Sequence, residues 1–316
     1  MVSRRLVQFI LTLISILILA AIIWFADPVR LISYISKSNI YFIFLGFVAS
    51  TLATLFRVLK WKVLLKNVNF KELIPIQILG LTISNFTPGK AAEPIKAFIL
   101  KAIKGIDISK SLPTIIWERI LDLIVLITIA LLSVNFLALE KSFFMLTLGA
   151  VSIFVVFIIV LLVILHSQKL GMKIFRFLKK FPVLKKISDN FIKIFYESKI
   201  SKKRISLSLV ITLIPWILEG FIMYFALLAL GINISPFLLA GMIAISTLVG
   251  VASFLPGGLG SFEAALVFLL TIMGVESSLS VTGVILGRLL SFWYATLLGG
   301  ISFLYLSRKI NFHELI

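Results

Sequence analysis

Cysteine is absent from this 316-residue chain, histidine occurs only as His166 and His313, and charged residues make up only 14% of it. Without cysteine there are no disulfides, thiolate metal sites or iron–sulfur clusters. Both histidines fall at or beyond the ends of predicted helices. Neither a metal centre nor any other cofactor is expected, and no nucleotide loop or nucleophile motif marks catalytic residues. The missing charge is replaced by apolar residues: 60% are hydrophobic and 28 are phenylalanine. A soluble domain is about half apolar and a quarter charged. A water-soluble fold cannot hide that much apolar surface, so lipid is the solvent for most of it. The composition predicts an all-α polytopic membrane protein forming one membrane domain over 1–316.

Six apolar runs, 6–25, 40–59, 113–139, 143–165, 205–230 and 279–306, are long enough for a bilayer core that takes about 20 helical residues. The first follows Arg4 and Arg5, has no small-residue cleavage site, and reads as a retained span. Two further pairs, 73–86/91–103 and 237–254/262–273, contain short members joined at Pro88-Gly89 and at Pro256-Gly257-Gly258. Short apolar helices broken at Pro-Gly predict re-entrant hairpins, in which protein or a watery cavity must cover the broken backbone. Two ordinary tight turns between complete spans are the alternative.

Net charge is +18. With the N-terminus in the cytoplasm, twenty-six lysines and arginines fall inside, and only Arg30, Lys37 and Lys141 fall outside. This asymmetry predicts a cell-membrane protein with both termini cytoplasmic. Its basic loops would face anionic lipid headgroups rather than nucleic acid. The loop 167–204 is the most basic. Within it Val183, Leu184, Ile187, Phe191, Ile194 and Phe195 recur at helical spacing. They predict a basic amphipathic helix, lying on the inner leaflet or packed on the bundle as a cap.

The chain reads as duplicated. Pro88-Gly89 is followed by Glu93 and then Arg119-Ile120-Leu121-Asp122; Pro256-Gly257 is followed by Glu263 and then Arg288-Leu289-Leu290-Ser291. Each unit is span, hairpin, span, over about 40–139 and 205–306. Three crossings separate the two starts, so the copies would be inverted, as in many secondary transporters.

Seven ionisable groups fall in or against the predicted spans and hairpins: Glu93, Glu118, Arg119, Asp122, Glu219, Glu263 and Arg288. A charge at the bilayer centre costs about 2.5–3.5 kcal/mol on insertion scales, so these groups must pair, protonate or line a wet cavity. Glu118, Arg119 and Asp122 share one helical face. Arg288 has no acid nearby on its own helix, and arginine suits bidentate contact with phosphate. Gly283 and Gly287 form a small-xxx-small pair suited to close helix contact. The turns 87–90, which include Lys90, and 255–261, which include Gly260, are expected to offer backbone N–H groups to an anion.

The stretches Ser84-Asn85-Phe86-Thr87-Pro88-Gly89-Lys90-Ala91-Ala92-Glu93-Pro94, Glu118-Arg119, Phe254-Leu255-Pro256-Gly257-Gly258-Leu259-Gly260-Ser261-Phe262-Glu263 and Gly287-Arg288 resemble the lysylphosphatidylglycerol synthase transmembrane region, also called the flippase-like domain family. That region is the membrane half of the multiple peptide resistance factor. The resemblance covers roughly 10–306. It implies handling of anionic, aminoacylated or polyprenyl-linked lipids, and so a flippase-like transporter whose partners are the membrane and an anionic phospholipid or lipid-linked phosphate headgroup. Lys90, Arg119 and Arg288 would meet the anion. Glu93, Glu118, Asp122, Glu219 and Glu263 would pair with those cations, bind an aminoacyl cation or carry a proton. Lysyl transfer in the family belongs to a large soluble C-terminal domain, which this sequence does not contain, so transferase activity is not implied. An intramembrane transferase on lipid-linked substrates and a membrane scaffold for a glycosyltransferase are the alternatives. The lipid, the coupling ion and the oligomeric state are not encoded in any motif.

Overall fold

The computed structural model of the chain describes residues 4–25, 27–66, 68–137, 141–170, 172–173 and 189–310, and these contain helices and turns with no strand. The helices are α1 (Arg4–Phe25), α2 (Pro28–Ser36), α3 (Ile40–Leu65), α4 (Phe70–Asn85), α5 (Ile95–Lys104), α6 (Ile108–Leu137), α7 (Lys141–His166), α8 (Asp189–Glu197), α9 (Lys202–Ala229), α10 (Pro236–Ala252), α11 (Ser261–Ile272), α12 (Ser277–Arg288) and α13 (Tyr294–Ser307). The protein is an all-α membrane protein.

Among the described residues, α3, α9 and the continuous stretch Ser277–Ser307 are each long and apolar enough to cross a membrane. Counting α1 with α2 as one bent span makes four, against the six read from the sequence. Residues 113–137 of the run 113–139 lie in α6, where Lys110, Glu118, Arg119 and Asp122 interrupt the apolar sequence. In α7 the apolar stretch reaches only from Val151 to His166 among the described residues. The helix α2 was not anticipated. Asp27 accepts a hydrogen bond from the Val29 N–H at 3.2 Å and starts it, and Pro28 at its first position cannot extend α1.

The core forms around α3, α9 and α10. Gly46, Ser50, Ala53, Thr54, Trp61 and Leu64 of α3 recur at three- to four-residue spacing and are buried. Small residues on one stripe let helix backbones approach, which drives association where lipid tails are as apolar as the side chains. The Gly283 and Gly287 pair works in the same way: a Cβ at either would stand 2.4 Å from side-chain atoms of Leu227 or Met223 on α9. A second cluster, with Trp61, Leu73, Ile76, Ile99 and Leu100 at its centre, packs the α4–α5 hairpin onto α3.

The loop helix is seen in part. Residues 183–188 lie outside the described residues, as does His313. In α8, Ile192 and Phe195 are buried against Leu112, Ile116, Ile164 and Leu165. Over 189–197 the helix packs on α6 and α7.

The two broken turns meet. Pro88–Lys90 and Pro256–Gly258 are short tight helices in which Gly89 (φ 59°) and Gly257 (φ 64°) take the left-handed conformation that glycine tolerates at no steric cost. The turns are so close that a Cβ on Gly257 would stand 3.0 Å from the Asn85 carbonyl oxygen. In the second turn the Ser253 and Ser261 hydroxyls, 2.8 Å apart, tie the end of α10 to the start of α11.

Candidate functional site

A cavity of about 160 Å³ opens where the two turns meet the middles of α3, α6 and α9. Of the residues named from the sequence, Lys90, Glu93, Glu118, Arg119, Asp122, Glu219 and Arg288 line it, with Gly89, Gly257 and Gly258 from the turns. Glu263 stands just behind, its Oε1 2.6 Å from the Arg288 Nε. Pro88, Pro256 and Gly260 shape the turns without lining the cavity.

Each hairpin contributes one carboxylate, which meets the arginine of the following helix. In the first unit Glu93, at the start of α5, pairs with Arg119 of α6. In the second Glu263, in the first turn of α11, pairs with Arg288. The other Glu263 oxygen accepts the Gly260 N–H at 2.6 Å, as an N3 glutamate does for a helix start. Arg288 also lies 4.7 Å from the Phe262 ring centroid and 4.3 Å from that of Phe292. A π-turn at Leu289–Trp293 follows Arg288, and Phe292 within it reaches the cavity wall. Such single-turn widenings occur frequently at functional sites.

Sequence reasoning missed three of the five paired cations. Arg57, Lys60 and Lys96 are among the twenty-six cations counted on the inner side, yet Lys60 is 1% and Lys96 0% exposed. The Lys96 Nζ lies 2.6 Å from Glu118 Oε2 and 3.2 Å from Glu93 Oε1, and donates to Gln77 Oε1 at 3.1 Å. It also lies 4.9 Å from the Trp61 ring centroid. The Gln77 amide in turn donates to Glu118 at 2.9 Å. Lys60 donates to both Asp122 oxygens at 2.8 Å. Arg57 pairs with Glu219 at 2.7 Å, and the Trp216 indole N–H lies 3.3 Å from Asp122. Gly80 makes room for Lys96, since a Cβ there would stand 2.1 Å from the Lys96 Cγ. The three-residue spacing of Glu93 and Lys96 was the available signal for that pair. Nothing local marked Lys60 or Arg57, whose partners lie 62 and 162 residues away.

The expectation about backbone donors does not hold for most of each turn. The N–H groups of Lys90, Ala91, Gly258 and Leu259 bond to carbonyls within their own turns. Those of Ala92 and Leu255 bond to Thr87 and Ser253 hydroxyls, and that of Gly260 bonds to Glu263. Turns this tight consume their own donors, leaving side chains to recognise whatever enters. Among the described residues no cluster of three potential metal ligands occurs.

The two hairpins and the helices that follow them differ at the site. Where the first unit carries Glu118, Asp122 and Lys96, the corresponding positions before and after Arg288 and after Glu263 are Gly287, Ser291 and Leu266.

Comparison with known proteins places this architecture. The lysylphosphatidylglycerol synthase TM region matches residues 12–299. A UPF0104 membrane protein of Pyrococcus horikoshii is 30% identical over 324 aligned residues, covering 93% of this chain and 96% of that protein. A UPF0104 membrane protein of Methanothermobacter thermautotrophicus is 24% identical, with 96% of each chain covered. A phosphatidylglycerol lysyltransferase of Bacillus subtilis is 32% identical over 78 residues, which span 25% of this chain and 9% of that one. The chain belongs to the lysylphosphatidylglycerol synthase TM region family.

Proposed function

We propose that the protein is a flippase-like transporter that carries lipids with anionic, aminoacylated or polyprenyl-phosphate-linked headgroups between the leaflets of the cell membrane. The carrying observation is the charged cavity at the junction of the two hairpin turns. Its 160 Å³ leaves room for a phosphate group. The tails would stay in the bilayer while the headgroup crosses through a polar site near the midplane. The matching pairs, Glu93 with Arg119 and Glu263 with Arg288, support two related units meeting at the cavity, and the one-sided distribution of lysine and arginine supports an inverted pair with both termini cytoplasmic.

The stretch shared with phosphatidylglycerol lysyltransferase makes phosphatidylglycerol the first probe. The purified protein is reconstituted into liposomes with acyl-labelled fluorescent phosphatidylglycerol, and a membrane-impermeant quencher is added. Transport leaves little of the label protected. Protection equal to that in protein-free liposomes, across phosphatidylglycerol and sugar-linked polyprenyl phosphodiester probes, refutes the proposal.

A further inference from the structure

Among the described residues, each of the five carboxylates around the cavity has a nearest cation of its own, and one cation is left over. Arg57 takes Glu219, Lys60 takes Asp122, Lys96 takes Glu118, Arg119 takes Glu93 and Arg288 takes Glu263. Lys90 lines the same cavity, and no carboxylate of the described residues lies within 4.0 Å of its ammonium. Its backbone sits at φ 57°, a region that a lysine rarely adopts. The Ser84 hydroxyl helps hold it there by donating to the Lys90 carbonyl at 2.8 Å. A charged residue held on strained backbone at the wall of a polar cavity is a candidate for recognition. Arg57, Arg119 and Arg288 keep spare N–H donors, but their charge is already balanced.

We propose that Lys90 is the anion-binding residue of the cavity, and that the site takes a lipid whose headgroup carries one net negative charge, a phosphodiester monoanion. This rests on the transport reading for its biological meaning, but the binding rule is tested separately. One uncompensated ammonium neutralises one charge. A dianionic phosphomonoester would bring a second charge into a low-dielectric site with no free cation to meet it, and a zwitterionic headgroup would bring its own ammonium against Lys90. Because the turn N–H groups are largely occupied, backbone donors do not make up the difference.

The test is the shift in melting temperature of the full-length protein in neutral detergent on adding soluble short-chain lipids, since a ligand stabilises the state it binds. Dihexanoyl phosphatidylglycerol should stabilise the wild type and Lys90→Arg, with affinity for Lys90→Gln lower by about ten-fold or more. Dihexanoyl phosphatidic acid should bind better at pH 5 than at pH 7.5, because the second ionisation of a phosphomonoester lies near pH 6. Dihexanoyl phosphatidylcholine should bind weakest. Equal stabilisation of wild type and Lys90→Gln by phosphatidylglycerol overturns the proposal. So does tighter phosphatidic acid binding at pH 7.5, a measurement that needs no variant. No stabilisation by any of the three also overturns it. Equal stabilisation by glycerophosphoglycerol, the same headgroup without tails, refutes a lipid ligand. Binding that obeys the charge rule in a protein that moves no lipid refutes the transport reading alone.

Discussion

Replacing Lys96 by methionine tests whether the buried network holds the bundle together. Methionine keeps the length and most of the volume of the side chain, so the change removes an ammonium rather than opening a cavity. Lys96 is 0% and Glu118 1% exposed, so the carboxylate is shielded from bulk solvent. Breaking a buried pair by removing one partner costs about 3–5 kcal/mol. Here Glu118 retains Lys60 at 3.6 Å and the Gln77 amide at 2.9 Å, while Glu93 retains Arg119, which argues for the low end. A loss of about 3 kcal/mol corresponds to a fall in melting temperature of roughly 4–5 °C for a chain of 316 residues, at about 2.1 cal/mol/K of unfolding entropy per residue. The control is Lys104→Met. That residue pairs with Glu72 at the surface with a third of each side chain exposed, and should cost less than about 1 kcal/mol. Adding Glu118→Gln to Lys96→Met removes the stranded charge while keeping an oxygen for Gln77, and should recover more than half of the loss. Differential scanning fluorimetry in a mild detergent reads all three. Equal melting of Lys96→Met and Lys104→Met, or no recovery in the double variant, would refute the reasoning.

Arg288→Ala should lower the melting temperature by a similar amount, because Glu263 is only 4% exposed and would lose its cation; adding Glu263→Gln should restore most of it, and an unchanged melting temperature in the single variant would show that the pair is not structural. Single cysteines introduced at Lys37, Lys141 and Lys185, in a chain with none of its own, should react with an impermeant reagent in intact cells at 37 and 141 but not at 185. The reverse pattern would invert the orientation.

Helix positions were legible from the sequence because apolar length and Pro-Gly breaks are local signals. The run 40–59 lies inside α3, the run 205–230 ends one residue past α9, and the hairpin members 237–254 and 262–273 lie within two residues of α10 and α11. The span count was less legible, because α6 mixes apolar and charged residues and no local rule says which of them other helices will cover. The site was half legible. Acids in an apolar run stand out, and all five named carboxylates reach the network. Cations near the end of such a run look like headgroup anchors, because lysine and arginine at a membrane surface are the commoner case. Only the packing of α4 and α5 over α3 distinguishes Lys60 and Lys96 from them. The tightness of the turns was also invisible, since hydrogen bonding within a turn depends on side chains such as Thr87 and Ser253 adopting one particular rotamer.

The pairing of Arg57 with Glu219, 162 residues later, also sets a schedule. At about 5–20 residues per second, the ribosome takes roughly 8–32 s to make the partner after the arginine has emerged. The segment that becomes α3 therefore reaches the membrane long before α9 exists. Lys60 waits a shorter time, 62 residues, for Asp122. Through that interval both cations must stay in the headgroup region or be shielded by the insertion machinery. The last quarter of α3 would then settle to its final depth only as α6 and α9 arrive, which makes helix insertion and assembly of the charged site one coupled event rather than two successive stages.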